Sequence, residues 1–147
     1  MGKNESFLEH ADAIGRGLLD IGRASKASGV SVKMIRHYEA IGLLKKVART
    51  FANYRVYSDS DVHTLRFIKR ARTLGFSIED IRALLSLWQN KSRPSAAVKK
   101  IAGGHMDLLK QRIVEMQTMV ATLEHLTQHC HGDHRPECPI LEDLAKA

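Results

Sequence analysis

Apolar positions recur at helical spacing in several separate segments of the chain. Residues 21–28 are predicted to form a short helix that closes at Gly29, and Ser31 is a suitable N-cap for a second helix that continues to about Ala40. Gly42 is predicted to end that second helix. Two short helices around a glycine-containing turn are typical of a helix-turn-helix, whose second helix enters the major groove of DNA.

A segment of β-forming residues follows and predicts a small hairpin, or wing. Residues 49–57 alternate polar and β-forming side chains around a turn, where Asn53 can take the left-handed backbone conformation that a tight turn requires. Two Ser-x-x-Asp capping signals, at Ser58 and Ser77, then open two further helical patterns. We expect both to be core-packing helices. Four cations of the first also offer contacts to a phosphate backbone: Arg66, Lys69, Arg70 and Arg72.

The longest uninterrupted helical pattern covers Pro94 to Gln128. Its apolar residues follow a strict four-three spacing over three heptads, which favours packing against another long helix along a narrow seam. No other segment of this chain is long enough to be that partner, so a second copy of the chain is the simplest one. The seam consists of Ala102, Met106, Leu109, Ile113, Met116, Val120 and Leu123.

Positive charge is concentrated in one part of the chain. The formal net charge is +7, yet residues 21–72 carry twelve Lys and Arg against three acidic residues, a net of +9. Residues 73–147 are balanced at nine basic against nine acidic. A surface that binds a polyanion requires this concentration, whereas a generally basic protein would spread its charge. The basic segment contains the predicted helix-turn-helix and wing.

Cys130 and Cys138 flank seven residues just after the long helix, and the chain has no third cysteine. Two thiolates on a short loop suit a soft monovalent ion such as Cu(I), Ag(I) or Au(I), whereas Zn(II) prefers four ligands. Nearby imidazoles leave an alternative open, because His129, His131 and His134 could complete a Cys2His2 site for a divalent ion. A disulfide between the two cysteines, and hence a redox sensor, is a further alternative.

Several other classes of protein are disfavoured. No apolar run approaches eighteen residues, so we expect no membrane span, and residues 1–20 lack the features of a secretory signal. We interpret them as a mobile extension. The few cysteines fit a reducing cytoplasm better than a disulfide scaffold. Neither a phosphate-cradling glycine loop nor a catalytic serine, histidine and carboxylate set is recognisable, so we expect no enzymatic activity.

Four motifs occur along the chain in a characteristic order. They are Met34-Ile35-Arg36-His37-Tyr38-Glu39, Asn53-Tyr54-Arg55-Val56-Tyr57, the stretch 70–78, and Cys130-x7-Cys138-Pro139-Ile140-Leu141-Glu142. Together they resemble the MerR family of transcription regulators, and within it the copper-responsive CueR-like branch. The resemblance covers about residues 21–145.

The resemblance implies a mainly α protein: a winged helix-turn-helix head with a long antiparallel coiled-coil dimerisation helix and a C-terminal metal-binding loop. The implied divisions are an N-terminal extension (1–20), the DNA-binding domain (21–90), the dimerisation helix (91–127), and the metal-binding loop with a short C-terminal helix (128–147). Metal ligation is implied for Cys130 and Cys138, with one Cu(I), or Ag(I) or Au(I), per protomer. DNA contacts are implied at Lys33, Arg36, Tyr38, Arg49, Tyr54 and Arg55.

The resemblance also implies partners and a mechanism. A cytoplasmic homodimer would bind double-stranded promoter DNA and, with its metal, bend and untwist an overlong spacer, so that RNA polymerase is affected indirectly, through the promoter. The regulated genes would serve metal efflux and detoxification.

Ser95 is the position that the resemblance connects with metal selectivity. In the family's divalent-ion branch, a cysteine at the start of the long helix adds a further thiolate from the partner subunit, and Ser95 stands at that position here. Ser95 is also a candidate N-cap of the long helix. The remaining alternatives are a Zn or Cd sensor that uses Cys and His ligands, and a metal chaperone. A chaperone would leave the basic segment unexplained.

Overall fold

A computed structural model describes residues 7–8, 17–45, 47–50 and 53–146, with side chains described from residue 17 onward. The chain divides into two compact units, Met1–Val98 and Lys99–Ala147. In chain order the elements are β1 (Phe7–Leu8), α1 (Ile21–Ser28), α2 (Val32–Ala40), β2 (Ala48–Thr50), β3 (Arg55–Val56), α3 (Asp59–Thr73), α4 (Ile78–Gln89), α5 (Ser95–Gln128) and α6 (Pro139–Leu144).

Helices α1 and α2 form the predicted helix-turn-helix, and capping contacts define their ends. The side chain of Asp20 accepts a hydrogen bond from the backbone N–H of Arg23 at 2.8 Å and caps α1. Gly29 closes α1 at φ 73°, a left-handed conformation that glycine adopts without steric cost. Ser31 then caps α2 by accepting from the N–H of Met34 at 3.2 Å. The predicted bounds of both helices are therefore confirmed.

The predicted wing is also present, as strands β2 and β3. They pair antiparallel, with Ala48 opposite Val56 and Arg49 opposite Arg55. The turn between them brings Asn53 to φ 66°, the left-handed conformation expected for it. Residues 51 and 52 lie outside the described part of the chain.

Two described parts of the predicted N-terminal extension, residues 7–8 and Leu19, pair with the wing. Strand β1 pairs parallel with β2 and adds a third strand to the wing sheet. Leu19 exchanges backbone hydrogen bonds with Tyr57 at 2.8 and 2.7 Å, which ties the start of α1 to the end of the wing. A two-residue strand carries no readable periodicity, so the sequence pattern did not indicate it. Residues 1–6 and 9–16 lie outside the described residues.

Helices α3 and α4 supply much of the core of the first unit. A complete capping box between Ser58 and Asp61 starts α3, and Ser77 caps α4, as the Ser-x-x-Asp signals predicted. Both helices are core-packing helices, as expected. The core consists of Ala24, Val30, Ile35, Tyr38, Leu43, Leu44, Tyr57, Val62, Leu65, Ile68, Ala71, Ile81 and Leu85.

Helix α5 contains 34 residues and begins at Ser95, close to the predicted start. Within this single chain the predicted seam faces solvent: Met106 is 52 % exposed, Ile113 53 % and Met116 60 %. Met119, outside the strict seam but beside it on the helix surface, is exposed as well. An apolar surface of this length calls for a partner helix. Among the described residues, no helix is both long and apolar enough to cross a membrane.

Candidate DNA interface and metal loop

Helix α2 separates its buried side chains from its cationic ones. Ile35 is 0 % exposed and anchors the helix in the core. Lys33 and Arg36 lie on the exposed face, and neither makes a hydrogen bond or ion pair with another described residue. Both cations therefore keep their full donor capacity for an external acceptor, as a DNA-reading helix requires.

Tyr38, one of the predicted DNA contacts, lies in the core. Its exposure is 5 %, because its ring packs among the apolar residues of α1, α3 and α4. That burial leaves little of the side chain to reach DNA. Tyr38 shares the apolar face of α2 with Ile35, and this spacing is the signal in the sequence for its burial.

The other three predicted DNA contacts lie in the wing and differ in exposure and in hydrogen bonding. Tyr54 is 69 % exposed and stands at the tip. Arg49 donates from Nη1 to Oδ1 of Asn53 at 2.9 Å, which steadies the turn. Arg55 donates from Nε to Oε1 of Glu39 at 2.9 Å and is partly exposed. Only part of the Arg55 guanidinium is therefore left for DNA.

Glu39 joins the wing to the second helix of the helix-turn-helix. Its carboxylate accepts from Arg55 through one oxygen and from the hydroxyl of Tyr57 through the other, at 3.4 Å. Of the three acidic residues in the basic segment, Asp59 and Asp61 lie in the first turn of α3, where carboxylates are favourable. Glu39 is the one acidic residue of the basic segment that does not lie in the first turn of a helix. Its isolated negative charge was the signal in the sequence that it pairs with a cation.

Burial raises the pKa of Tyr57 to about 12, and the nearby Glu39 carboxylate adds to the effect. The residue is 0 % exposed. Its hydroxyl therefore stays protonated at physiological pH and remains a donor to Glu39. The Glu39, Arg55 and Tyr57 contacts form one polar cluster beneath the wing.

Some of the cations in the first unit serve the fold instead of a ligand. Arg66 donates through Nε and Nη2 to the carbonyl oxygen of Ala27 at 3.0 and 2.7 Å, near the end of α1. Arg82 donates to the carbonyl oxygen of Ile41 at 2.7 Å, just after α2. Both satisfy carbonyls that a helix end leaves without an intrahelical partner. Arg66 is thus committed to α1 and less available to a phosphate than predicted.

The two cysteines are free thiols, both partly buried, at either end of the loop after α5. The N–H of Cys130 donates to the carbonyl oxygen of Thr127 at 3.2 Å, which continues the turn of the helix. Cys138 occupies the N-cap position of α6, and its carbonyl oxygen accepts from the N–H of Glu142 at 3.0 Å. Both sulfur atoms are therefore carried by backbone that is anchored to a helix.

An ion pair shapes the loop between the cysteines. Arg135 donates from Nε to Asp133 at 3.1 Å, and its backbone N–H donates to the same carboxylate at 2.9 Å. Gly132 takes a positive φ of 63° next to this turn. Asp133 and Arg135 neutralise each other, which leaves Glu137 as the remaining charged carboxylate or basic residue between the two cysteines.

The histidines near the loop are exposed and do not gather around the cysteines. In the part of the chain that the structure describes, no three His, Cys, Asp or Glu side chains form a cluster suited to a metal ion. His129 instead directs Nδ1 at the carbonyl oxygen of His125, at 2.7 Å. His131 and His134 are exposed within the loop.

Ser95 is exposed and is itself the first residue of α5. It therefore lies one position inside the helix that it was predicted to cap. The side chain is accessible at this end of the helix, as a ligand-bearing position would need to be.

A helix-turn-helix, a wing and a basic surface in the first unit, followed by a long helix, define a transcription regulator of the winged helix-turn-helix class. Residues 19–88 match the profile of the MerR HTH family regulatory proteins, and residues 62–126 match that of the MerR DNA-binding region. The chain belongs to the MerR family. It is a regulator and not an enzyme.

Individual relatives support the same assignment. The chain is 57% identical over 128 residues to the HTH-type transcriptional regulator HmrR of Sinorhizobium medicae, with 87% of each protein covered. It is 33% identical over 127 residues to the regulator CueR of Escherichia coli O6:H1, covering 86% of this chain and 94% of CueR. The predicted family is therefore confirmed, although the relative named HmrR is more similar than the one named CueR.

A solved structure shares the fold. The regulator PbrR691 from Ralstonia metallidurans CH34, in complex with lead(II), matches with a TM-score of 0.77 at 29% identity, covering 86% of this chain and 99% of that one. The predicted fold class, mainly helical with a small wing sheet and a long helix, is confirmed.

The raised pKa of Tyr57 gives a testable prediction about alkaline stability. Its pKa of about 12 exceeds the ordinary value of 10.0, so the unfolded chain loses this proton first as pH rises. The free energy of unfolding should therefore fall between about pH 10 and pH 12 by more in the wild type than in Tyr57→Phe. Urea unfolding at a series of pH values measures this, and equal slopes for both proteins would contradict it.

Proposed function

We propose that the chain is a dimeric regulator that senses Cu(I), or Ag(I) or Au(I), and activates metal-efflux and detoxification genes. The observation that carries this proposal is the pair of free, partly buried thiols at the two anchored ends of the loop 130–138. Two thiolates satisfy a soft monovalent ion, whereas a divalent ion would still lack donors. The Cys130 and Cys138 sulfurs would hold one ion per protomer.

The names of the relatives do not identify the ion, so we infer it from the ligands that this chain offers. The relative named CueR is 33% identical, and other relatives at 55–57% identity are named heavy metal-dependent regulators or HmrR. PbrR691, at 29% identity, was solved with the divalent ion lead(II). The same fold thus accompanies different ions, and the local ligands decide among them. In this chain Ser95 offers no sulfur at the start of α5, which favours the monovalent ion.

The DNA-binding function is proposed to rest on helix α2 and the wing. Lys33 and Arg36 would face the major groove, while Arg49, Tyr54 and Arg55 would contact the phosphate backbone on either side. The cluster around Glu39 holds the wing at a fixed angle to α2, so both surfaces can engage one duplex. Tyr38 would take part through its hydroxyl at most, because its ring is buried.

Activation is proposed to proceed through distortion of the promoter. Two heads joined through paired α5 helices would hold an overlong spacer, and bending or untwisting it costs a few kcal/mol, roughly 1–6. Leu141 and Leu144 of α6 are 66 % and 72 % exposed, so this short helix has an apolar surface available for docking. Docking of α6 when the loop closes around its ion would change the angle between the heads. RNA polymerase would respond to the reshaped promoter.

The alternative from the same class is a divalent-ion sensor that uses cysteine and histidine ligands. His129, His131 and His134 are close to the cysteines in sequence and are the nitrogen donors such a site would use. These histidines are solvent-exposed, and in the described part of the chain no three His, Cys, Asp or Glu side chains form a cluster suited to a metal ion. A monovalent ion held by the two thiolates would need no histidine ligand.

Removal of either thiol should abolish the response to metal. In Cys130→Ser or Cys138→Ser, Cu(I)-dependent transcription from the target promoter should be lost, while promoter binding stays at the wild-type level because the head does not include the loop. His131→Ala with His134→Ala is the matched control and should retain activation. An in vitro transcription assay with Cu(I) and Zn(II) measures both. Strong activation of the wild type by Zn(II) would favour the divalent alternative. Loss of Cu(I) activation in the histidine control would favour it as well.

Arg36 should carry a measurable share of DNA affinity. We expect Arg36→Ala to weaken promoter binding by about 1–3 kcal/mol if the guanidinium reads a base edge. Pure phosphate contact would instead weaken binding to all sequences and lessen the salt dependence. Lys110→Ala removes one positive charge from the middle of α5 and is the control. Fluorescence anisotropy at several salt concentrations distinguishes these cases, and unchanged affinity in Arg36→Ala would remove α2 from the interface.

The apolar seam of α5 should mediate dimerisation. Leu109→Glu with Ile113→Glu places two charges on the seam and should yield monomers in analytical ultracentrifugation, with weaker promoter binding as a result. Gln111→Glu with Thr118→Glu adds the same charge one heptad apart on the opposite side and should leave the dimer intact. A dimeric seam variant would show that another surface joins the subunits.

A further inference from the structure

Two histidines lie one turn apart at the end of α5. His125 belongs to the last turn of the helix, and His129 follows it by four residues. Their ring centroids are 4.2 Å apart with an interplanar angle of 44°. Both side chains are exposed, so an ion from solution can reach them. The spacing places both imidazoles on the same side of the helix.

A hydrogen bond fixes the chemical state of His129. Its Nδ1 lies 2.7 Å from the carbonyl oxygen of His125, and a carbonyl oxygen can only accept, so Nδ1 carries the hydrogen. In the neutral ring the lone pair is then on Nε2, free to bind. Histidines that ligate metals usually donate their other ring N–H to a carbonyl or carboxylate in this way, which orients the ring.

The surroundings of the pair also favour a cation. Residues 121–129 contain one acidic residue, Glu124, and no Lys or Arg. Arg135, the next Lys or Arg along the chain, is paired with Asp133. A bound divalent ion would therefore meet no opposing positive charge on this turn of the helix.

We propose that His125 and His129 form a chelating site for a borderline divalent ion of the Cu(II), Ni(II) or Zn(II) type. Imidazole nitrogens suit these ions, with Cu(II) bound most tightly in the usual order of affinities. Water would complete the coordination. The site differs from the thiolate pair in its donors and in its ion, and it does not depend on the proposed function of that pair.

Such an ion would act on the segment that leads to the thiolates. It would link His125, in the last turn of α5, to His129, which directly precedes Cys130. The N–H of Cys130 already donates to the carbonyl oxygen of Thr127 at 3.2 Å. Occupation of the site would hold this turn in its helical form. A divalent ion could then bind the protein without taking the place of the monovalent ion.

The test uses the full-length chain with both thiols removed, Cys130→Ser with Cys138→Ser, so that sulfur cannot contribute. We expect this protein to bind one Cu(II) per chain, with a paramagnetic resonance spectrum that shows two imidazole nitrogens. Adding His125→Ala or His129→Ala should abolish that two-nitrogen signal. Adding His131→Ala with His134→Ala should preserve it. The two thiols are absent throughout, so failure here would leave the Cu(I) proposal unaffected.

A second variant tests the spacing and not merely the number of histidines. His125→Ala with Thr127→His keeps the histidine count but moves one ring to a different side of the helix, and the two-nitrogen signal should be lost. Circular dichroism should show unchanged helix content, since all these positions are exposed. Retention of the signal in this variant, or its loss only in the His131 and His134 variant, would overturn the proposal.

Discussion

The shape of the candidate DNA-binding surface depends on the hydrogen bonds that the Glu39 carboxylate accepts from the wing. It stands on α2, inside a segment with a net charge of +9, and receives Arg55 and Tyr57 from the wing. A carboxylate that is largely removed from water needs charged or hydrogen-bonding partners, and these two supply them. Because both partners come from the wing, the same contacts that satisfy Glu39 also orient the wing against α2.

This arrangement divides the basic residues of the head into two groups. Arg66 and Arg82 satisfy carbonyl oxygens near the ends of α1 and α2, and so contribute to the fold. Lys33 and Arg36 have no such partners among the described residues and stay available to an external anion. The net charge of the segment suits the attraction of a polyanion from a distance, whereas Lys33 and Arg36 are the cations that we propose read DNA.

The second unit has no comparable excess of positive charge. Its exposed apolar stripe and balanced charge suit association with another protein chain, and its soft sulfur donors suit a metal. Two chemically distinct sets of candidate metal donors lie within residues 125–138: the thiols of Cys130 and Cys138, and the imidazoles of His125 and His129. Soft monovalent ions prefer sulfur donors and borderline divalent ions prefer imidazole nitrogens, so the two proposed sites would not compete for the same ion.

The sequence by itself determined the local elements. Caps at Ser31, Ser58 and Ser77, and the left-handed turn at Asn53, were readable because each depends on residues close together in the chain. The heptad spacing of α5 was readable for the same reason. Likewise, the cysteine loop was evident from two residues and their separation.

Only the tertiary structure decided which residues serve the fold and which face outward. Tyr38 is buried among distant helices, Arg66 caps a helix 39 residues earlier, and Glu39 meets Arg55 and Tyr57 across 16 and 18 residues. Strand β1 joins β2 from more than forty residues away. None of these contacts leaves a periodic trace, because a side chain's partner across the fold is set by how the helices pack and not by its neighbours in the chain.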